Sequence, residues 1–237
     1  MSAPGSRRLD ARPDPAAPRI ATSILSTDLA LLAQDVTAAM RAGADWVHVD
    51  VLDDHPLPMG RPAMRRGGGV LDVHLLVKPA DALVRALASA GADLVSFHPE
   101  ECECVHRTMR LVKDHGCRVG IALNSSTPLA EIDELLGELD AVVVTSVGDP
   151  GSHGLDASAL ARIRAVSDRI SATGRRIVLQ VDGGVRPENV GALVRAGADV
   201  LVACPAFFGP GDCAAALAAL DARPVRRPLA VAPGGLV

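Results

Sequence analysis

The chain has 237 residues, 49% of them hydrophobic and only 2% aromatic, with no tyrosine and a formal net charge of −4. That length suits one large α/β domain with a full core built from small aliphatic side chains. The charge excludes a basic nucleic-acid footprint, and no apolar run is long enough to be read as a membrane span.

Residues 1–18 are rich in Pro, Arg and Ala and read as a flexible tail without the apolar core of a secretory signal. Eight apolar runs follow, near 19–25, 45–51, 70–77, 93–98, 117–123, 140–147, 176–182 and 199–204. Helical patterns separate most of them, at 28–42, 79–90, 104–115, 127–138, 156–173 and 187–196, and a last helix fits 212–221. The phrase AGAD recurs at 42, 90 and 196, with ELDA at 138 as a cousin; the Gly sits where a helix stops and the Asp leads into a strand. Residues 223–237 hold three prolines and two glycines and read as a second tail.

Strands alternating with helices imply a parallel sheet, and eight repeats imply a closed (β/α)8 TIM barrel over 19–222. An open doubly wound sheet is the weaker reading, because no G-x-G-x-x-G follows the first strand. One unit departs from the pattern. Residues 56–69, PLPMGRPAMRRGGG, carry three prolines and four glycines, so the second helix is expected to be shortened or missing. A second copy of the chain covering that gap makes a homo-oligomer the expected assembly. Five cysteines without a dense framework point to a reducing cytoplasm. The Cys102–Cys104 spacing is too short for a zinc C-x-x-C pair.

Chemistry in such a barrel sits at the C-terminal strand ends. Those ends carry Ser23, His48 with Asp50, His74, His98 with Glu100, Asn124, Ser146, Asp182 and Cys204. His48 and Asp50 are two apart and share one strand face. With His74 and Asp182 at the same level, two imidazoles and two carboxylates make a candidate site for a divalent metal such as Zn²⁺, Mn²⁺ or Fe²⁺. The competing reading has each His as a satisfied barrel-mouth residue and each Asp as a helix cap. His98 and Glu100 are expected to support the site rather than form it.

The stretches IATSILSTDLALL (20–32), AGADWVHVDVLDDHPLP (42–58), LDVHLLV (71–77), HPEECECVHRTMRLVKDHGCRVGIALNSSTP (98–128) and VDGGVRPENVGALVRAGADVLVA (181–203) resemble the ribulose-phosphate 3-epimerase family, in the family's order. The resemblance implies a ribulose-phosphate-binding (β/α)8 barrel. It implies interconversion of D-ribulose 5-phosphate and D-xylulose 5-phosphate with one divalent ion (Zn, Mn, Fe or Co) and no organic cofactor. It also implies His48, Asp50, His74 and Asp182 as ligands, Asp50 and Asp182 as the acid/base pair, and Ser23, His74, Gly183 and Gly184 as substrate contacts. The chemistry suits those residue types. Epimerisation at C3 of a 2-ketose removes a proton α to a carbonyl and returns one to the opposite face.

The departures lie around the substrate's phosphate. The family's N-P-G-F-G-G-Q loop is GDPGSHGLD here (148–156), and its Gly-Ser after the last strand is Cys204-Pro205. Proline has no N–H to offer an anion. Family methionines fall at Leu52, Leu76 and Thr145, and an expected Asn is Met59. Three readings stay open: the family reaction with a rebuilt phosphate grip (Ser152, His153, Arg61, Arg65 or Arg66), a 3-epimerase of a different ketose, or a non-catalytic metal-binding relative. A Schiff-base aldolase would need a Lys at the site, and the lysines are Lys78, just past the third strand, and Lys113, on a helix. A sugar-binding module would not need two acid/base carboxylates at one metal.

Overall fold

The computed structural model describes residues 18–24, 32–52, 69–146, 158–203, 217, 219 and 220. The tails, His55, Met59, the segment 56–68, the loops 148–156 and 204–205, and most of the helix expected at 212–221 lie outside them.

Eight parallel strands close into a barrel in chain order. They are β1 (Arg19–Ser23), β2 (Trp46–Leu52), β3 (Val70–Leu76), β4 (Leu94–Phe97), β5 (Arg118–Leu123), β6 (Ala141–Thr145), β7 (Val178–Asp182) and β8 (Val200–Ala203). Among the described residues five helices with assigned bounds accompany them: α1 (Leu32–Arg41), α2 (Asp81–Ala90), α3 (Val105–Asp114), α4 (Ala159–Ala172) and α5 (Pro187–Ala196). The eight strands fall where the apolar runs put them.

One expected helix is corrected. Residues 127–138 form a 3₁₀ turn at Leu129–Ile132 followed by further turns. The bonds Glu131 N–H to Pro128 O, Asp133 to Ala130 and Leu135 to Ile132 all span three residues. Leu129, Ile132 and Leu135 repeat every three residues, which suits three residues per turn better than 3.6. Gly137 near the end adds a weak helix former.

The AGAD repeat has a structural cause. Gly43, Gly91 and Gly197 have φ of 108°, 95° and 119°, the left-handed region that ends a helix most cheaply at glycine. The following Asp then clips the preceding strand at both backbone groups of one residue. Asp45 accepts from Ile20 N–H at 3.0 Å and its own N–H donates to Ile20 O at 2.9 Å. Asp93 does the same to Leu71, Asp140 to Val119 and Asp199 to Leu179. The strands are thereby fastened in pairs, β1 to β2, β3 to β4, β5 to β6 and β7 to β8.

Asp93→Ala would strand the buried Leu71 N–H. Such an orphan costs about 1–3 kcal/mol, expected as a fall in melting temperature of roughly 2–12 °C for a domain this size. Asp93→Asn keeps an acceptor and should recover most of it. Equal melting of wild type and Asp93→Ala would count against the clip.

Alternate strand residues serve different cores. Val47, Val49 and Val51 join the large cluster between sheet and helices, with Val36, Val84 and Val112. Trp46 belongs to a separate cluster with Ala21, Val70, Leu94, Ala141, Val200 and Val202, the floor of the barrel interior. Above that floor the inward positions become polar: His48 and Asp50 on β2, Asp72 and His74 on β3, Gln180 and Asp182 on β7.

Candidate metal centre

The register brings the polar positions together. His48 pairs with Asp72 and Asp50 with His74 across β2 and β3. Asp182 ends β7 on the far side of the mouth. His48, Asp50, His74 and Asp182 each offer one ligand atom, and the four atoms lie within 4.8 Å of one another.

Each imidazole turns a different nitrogen inward. His48 directs Nε2 to Asp50 Oδ1 at 3.1 Å and Asp182 Oδ2 at 3.8 Å. His74 directs Nδ1 to the same two oxygens, at 3.3 and 3.4 Å. That Nδ1 is buried and has no hydrogen-bond partner of good geometry. Asp50 uses its other oxygen, Oδ2, to accept from Ser23 Oγ at 3.3 Å.

The charges are tightly coupled. Burial disfavours a charged His48, but Asp50 and Asp72 outweigh it and raise the pKa well above the ordinary value. Burial likewise opposes protonation of His74, while Asp182 and Asp50 raise its pKa to about 9. For Asp50, burial pushes up, and His48 and His74 prevail to hold it well below the usual carboxylate range. Carboxylates this deep gather positive charge, and two neutral imidazoles with two carboxylates are a donor set that fits a divalent cation. His74 Nδ1, turned toward both carboxylates without a well-aligned hydrogen bond, fits the same group.

A model of the ribulose-phosphate 3 epimerase family matches residues 19–208. The chain belongs to the ribulose-phosphate 3-epimerase family. It is 44% identical over 208 residues to ribulose-phosphate 3-epimerase 1 of Cupriavidus necator, covering 82% of this chain and 86% of that one. It is 43% identical over 203 residues to ribulose-phosphate 3-epimerase of Escherichia coli K12, covering 81% and 90%. Among solved structures, Mycobacterium tuberculosis tryptophan synthase superposes with a TM-score of 0.70 at 16% identity, covering 94% of this chain and 98% of that one. A 3-hexulose-6-phosphate synthase gives 0.63 at 20%, covering 86% and 98%. At those identities the likeness is one of fold.

Of the residues singled out from the sequence, His48, Asp50, His74 and Asp182 converge, and Ser23 touches Asp50. Gly183 and Gly184 follow Asp182 with φ of 94° and 63°, a left-handed pair that only glycine adopts easily. Their turn is tied down from two sides. Ser146 Oγ donates to the carbonyls of Asp182 and Gly183, and Asn189 Nδ2 donates to Gly184 O at 2.7 Å. Asn189 Oδ1 also accepts from Arg186 N–H at 2.9 Å, fixing the turn to the start of α5. His98 sits against His74, Nε2 to Nε2 at 3.0 Å, and Glu100 accepts from the Thr127 hydroxyl. Lys78 Nζ donates to Glu100 O and Lys113 Nζ to Glu138, so neither amine is in the cluster.

Sequence reasoning missed Asp72 and Gln180, both fully buried. Asp72 Oδ2 accepts from His48 Nδ1 at 2.6 Å and from Gln180 Nε2 at 2.7 Å. The available signal was the strand period: each lies two residues before a ligand, on the same face.

Proposed function

We propose that this protein is a metal-dependent 3-epimerase of ketose phosphates, interconverting D-ribulose 5-phosphate and D-xylulose 5-phosphate. The observation that carries this reading is the pair Asp50 and Asp182, brought from two non-adjacent strands, β2 and β7, to within reach of the same imidazoles. A family relationship at 43% identity over most of the chain supports it.

In this reading His48, Asp50, His74 and Asp182 hold the cation, for which Zn²⁺, Fe²⁺, Mn²⁺ or Co²⁺ suits the mixed donor set. The cation supplies Lewis acidity for the negative charge that develops on the substrate. One ionised carboxylate accepts the proton as the C3–H bond breaks. The other, protonated, delivers its proton to the opposite face of C3. Reversal exchanges the two roles, so both residues must pass through both protonation states. The Ser23 hydroxyl holds one Asp50 oxygen and leaves the other at the centre of the site. Gly183 and Gly184 contribute a rigid turn against the substrate's phosphate.

The enzyme is assigned to the cytoplasm, as a homo-oligomer whose second copy covers the segment 56–69, where three prolines and four glycines disfavour a full helix. Free thiols at Cys102, Cys104 and Cys117 suit a reducing compartment.

Deuterium entry at C3 tests the reading. Metal-loaded protein in D2O should exchange the C3 proton of D-ribulose 5-phosphate and accumulate D-xylulose 5-phosphate by NMR, and a chelator should stop both. The sequence at 148–156 and 204–205 gives a reason to run unphosphorylated ketoses and a ketohexose 6-phosphate beside it. Exchange with one of those alone would move the substrate assignment. No exchange with any of them, by protein with bound metal, would defeat the epimerase reading.

A further inference from the structure

The middle row of the barrel interior holds polar groups that the proton chemistry does not use. Asp72 and Gln180 are fully buried, as are His48, His74 and His98 to within 2%. Burying a carboxylate in a barrel interior is costly where an aliphatic side chain would fill the space. Asp72 makes no salt bridge to Lys or Arg among the described residues. Its contacts are the imidazole of one candidate ligand and the amide that steadies it.

We propose that Asp72 and His98 are positioning residues, each fixing the tautomer and ring orientation of one ligand imidazole. The inference rests on the cation reading above. His48 Nδ1 lies 2.6 Å from Asp72 Oδ2, so the proton on that nitrogen donates outward and Nε2 is left to bind inward. Gln180 Nε2 donates to the same oxygen at 2.7 Å and stands 3.2 Å from His48 Nδ1, which stops the carboxylate from turning away. His74 is presented the other way round. Its Nε2 is 3.0 Å from His98 Nε2, a contact that needs one proton between two ring nitrogens. His74 Nε2 donates that proton, His98 accepts it, and His74 Nδ1 binds inward.

The backbone around His98 is itself held, with Glu101 N–H donating to His98 O at 3.1 Å and Pro99 following directly. The two outer partners differ in charge. Asp72 makes His48 the more basic ligand, whereas the His98 imidazole orients His74 without adding an anion. Outer partners of this kind raise ligand basicity and commonly matter 10- to 100-fold in metal affinity.

The test uses the full chain and Zn²⁺. In the Zn²⁺-loaded wild type, ¹⁵N–¹H spectra of the imidazoles should show His48 protonated on Nδ1 and His74 on Nε2. The opposite tautomer at either residue overturns the assignment for that residue without any variant. The Zn²⁺ dissociation constant is then read by competition with a chromophoric chelator. Asp72→Leu and His98→Leu should each weaken binding by up to about 100-fold, while Asp72→Asn and His98→Gln, which restore an oxygen acceptor, should stay within roughly 10-fold of wild type. Metal-free melting temperatures separate a folding defect from a loosened ligand. A folded Leu variant that binds Zn²⁺ as tightly as wild type overturns this inference alone. A wild type that binds no Zn²⁺ at all overturns the cation reading and this inference together.

Discussion

Asp182→Asn is expected to lower conversion between the two epimers by about 10²–10⁴-fold, and Asp50→Asn by a similar factor. An amide keeps the size of the carboxylate and an oxygen to turn toward a cation, but it cannot take up the C3 proton. The two-carboxylate arrangement makes a sharper statement than loss of rate. Each variant keeps one working carboxylate on one face of the substrate. That residue should still remove and return the proton of the epimer it faces, washing in deuterium without inverting the centre. Asp50→Asn and Asp182→Asn should therefore exchange opposite epimers.

Conversion and exchange are read in the same NMR experiment, and metal content is measured on each variant. Near-normal conversion by either variant would remove that residue from the acid/base pair. Loss of exchange with both epimers, in step with loss of bound metal, would reduce the carboxylates to ligands. Their environments are unequal, and this bears on the result. Asp50 is the deeper, with its side chain 8% exposed against 19% for Asp182, and it is held by Ser23 and both imidazoles. Its replacement should disturb metal binding more than that of Asp182.

The barrel was legible because parallel strands buried on both faces read as apolar runs, and because AGAD marks three of the helix ends. What the Asp of that motif does was not legible. Its partner sits on the strand before, about twenty to twenty-five residues away, as with Asp45 and Ile20. Only the closed register shows that pairing. The same holds for the outer partners of the imidazoles. Asp72 lies 24 residues from His48, and Gln180 lies 132 from it. In sequence, a polar residue two before a ligand reads equally well as a strand residue facing water. The segment 127–138 misled for a local reason, since its leucines and isoleucine suit a three-residue turn as well as a helical stripe.

Trp46→Ala is expected to destabilise the protein by about 3–5 kcal/mol, the usual range for emptying a large buried aromatic site. For a domain of this size that is a melting temperature lower by roughly 6–20 °C. Trp46 is the chain's one tryptophan and is 1% exposed. It fills a barrel floor whose other members are smaller, Leu94 the largest of them and Ala21 and Ala141 the smallest, so they can collapse into the space only in part. The Arg19 guanidinium lies 5.9 Å from its ring centroid and closes the floor from below. The consequence reaches upward as well. Trp46 and His48 are consecutive inward residues of one strand, so the ring is the surface on which the His48–Asp72–Gln180 row rests. A void there would let that row settle, and Zn²⁺ affinity should fall along with the melting temperature. Trp46→Phe keeps an aromatic plug and should lose less on both measures. A Trp46→Ala variant that melts within a few degrees of wild type would mean that the floor closes by another route. One that melts early yet binds Zn²⁺ normally would mean that the polar row is held from the sides, by the strands and by Gln180, and not from beneath.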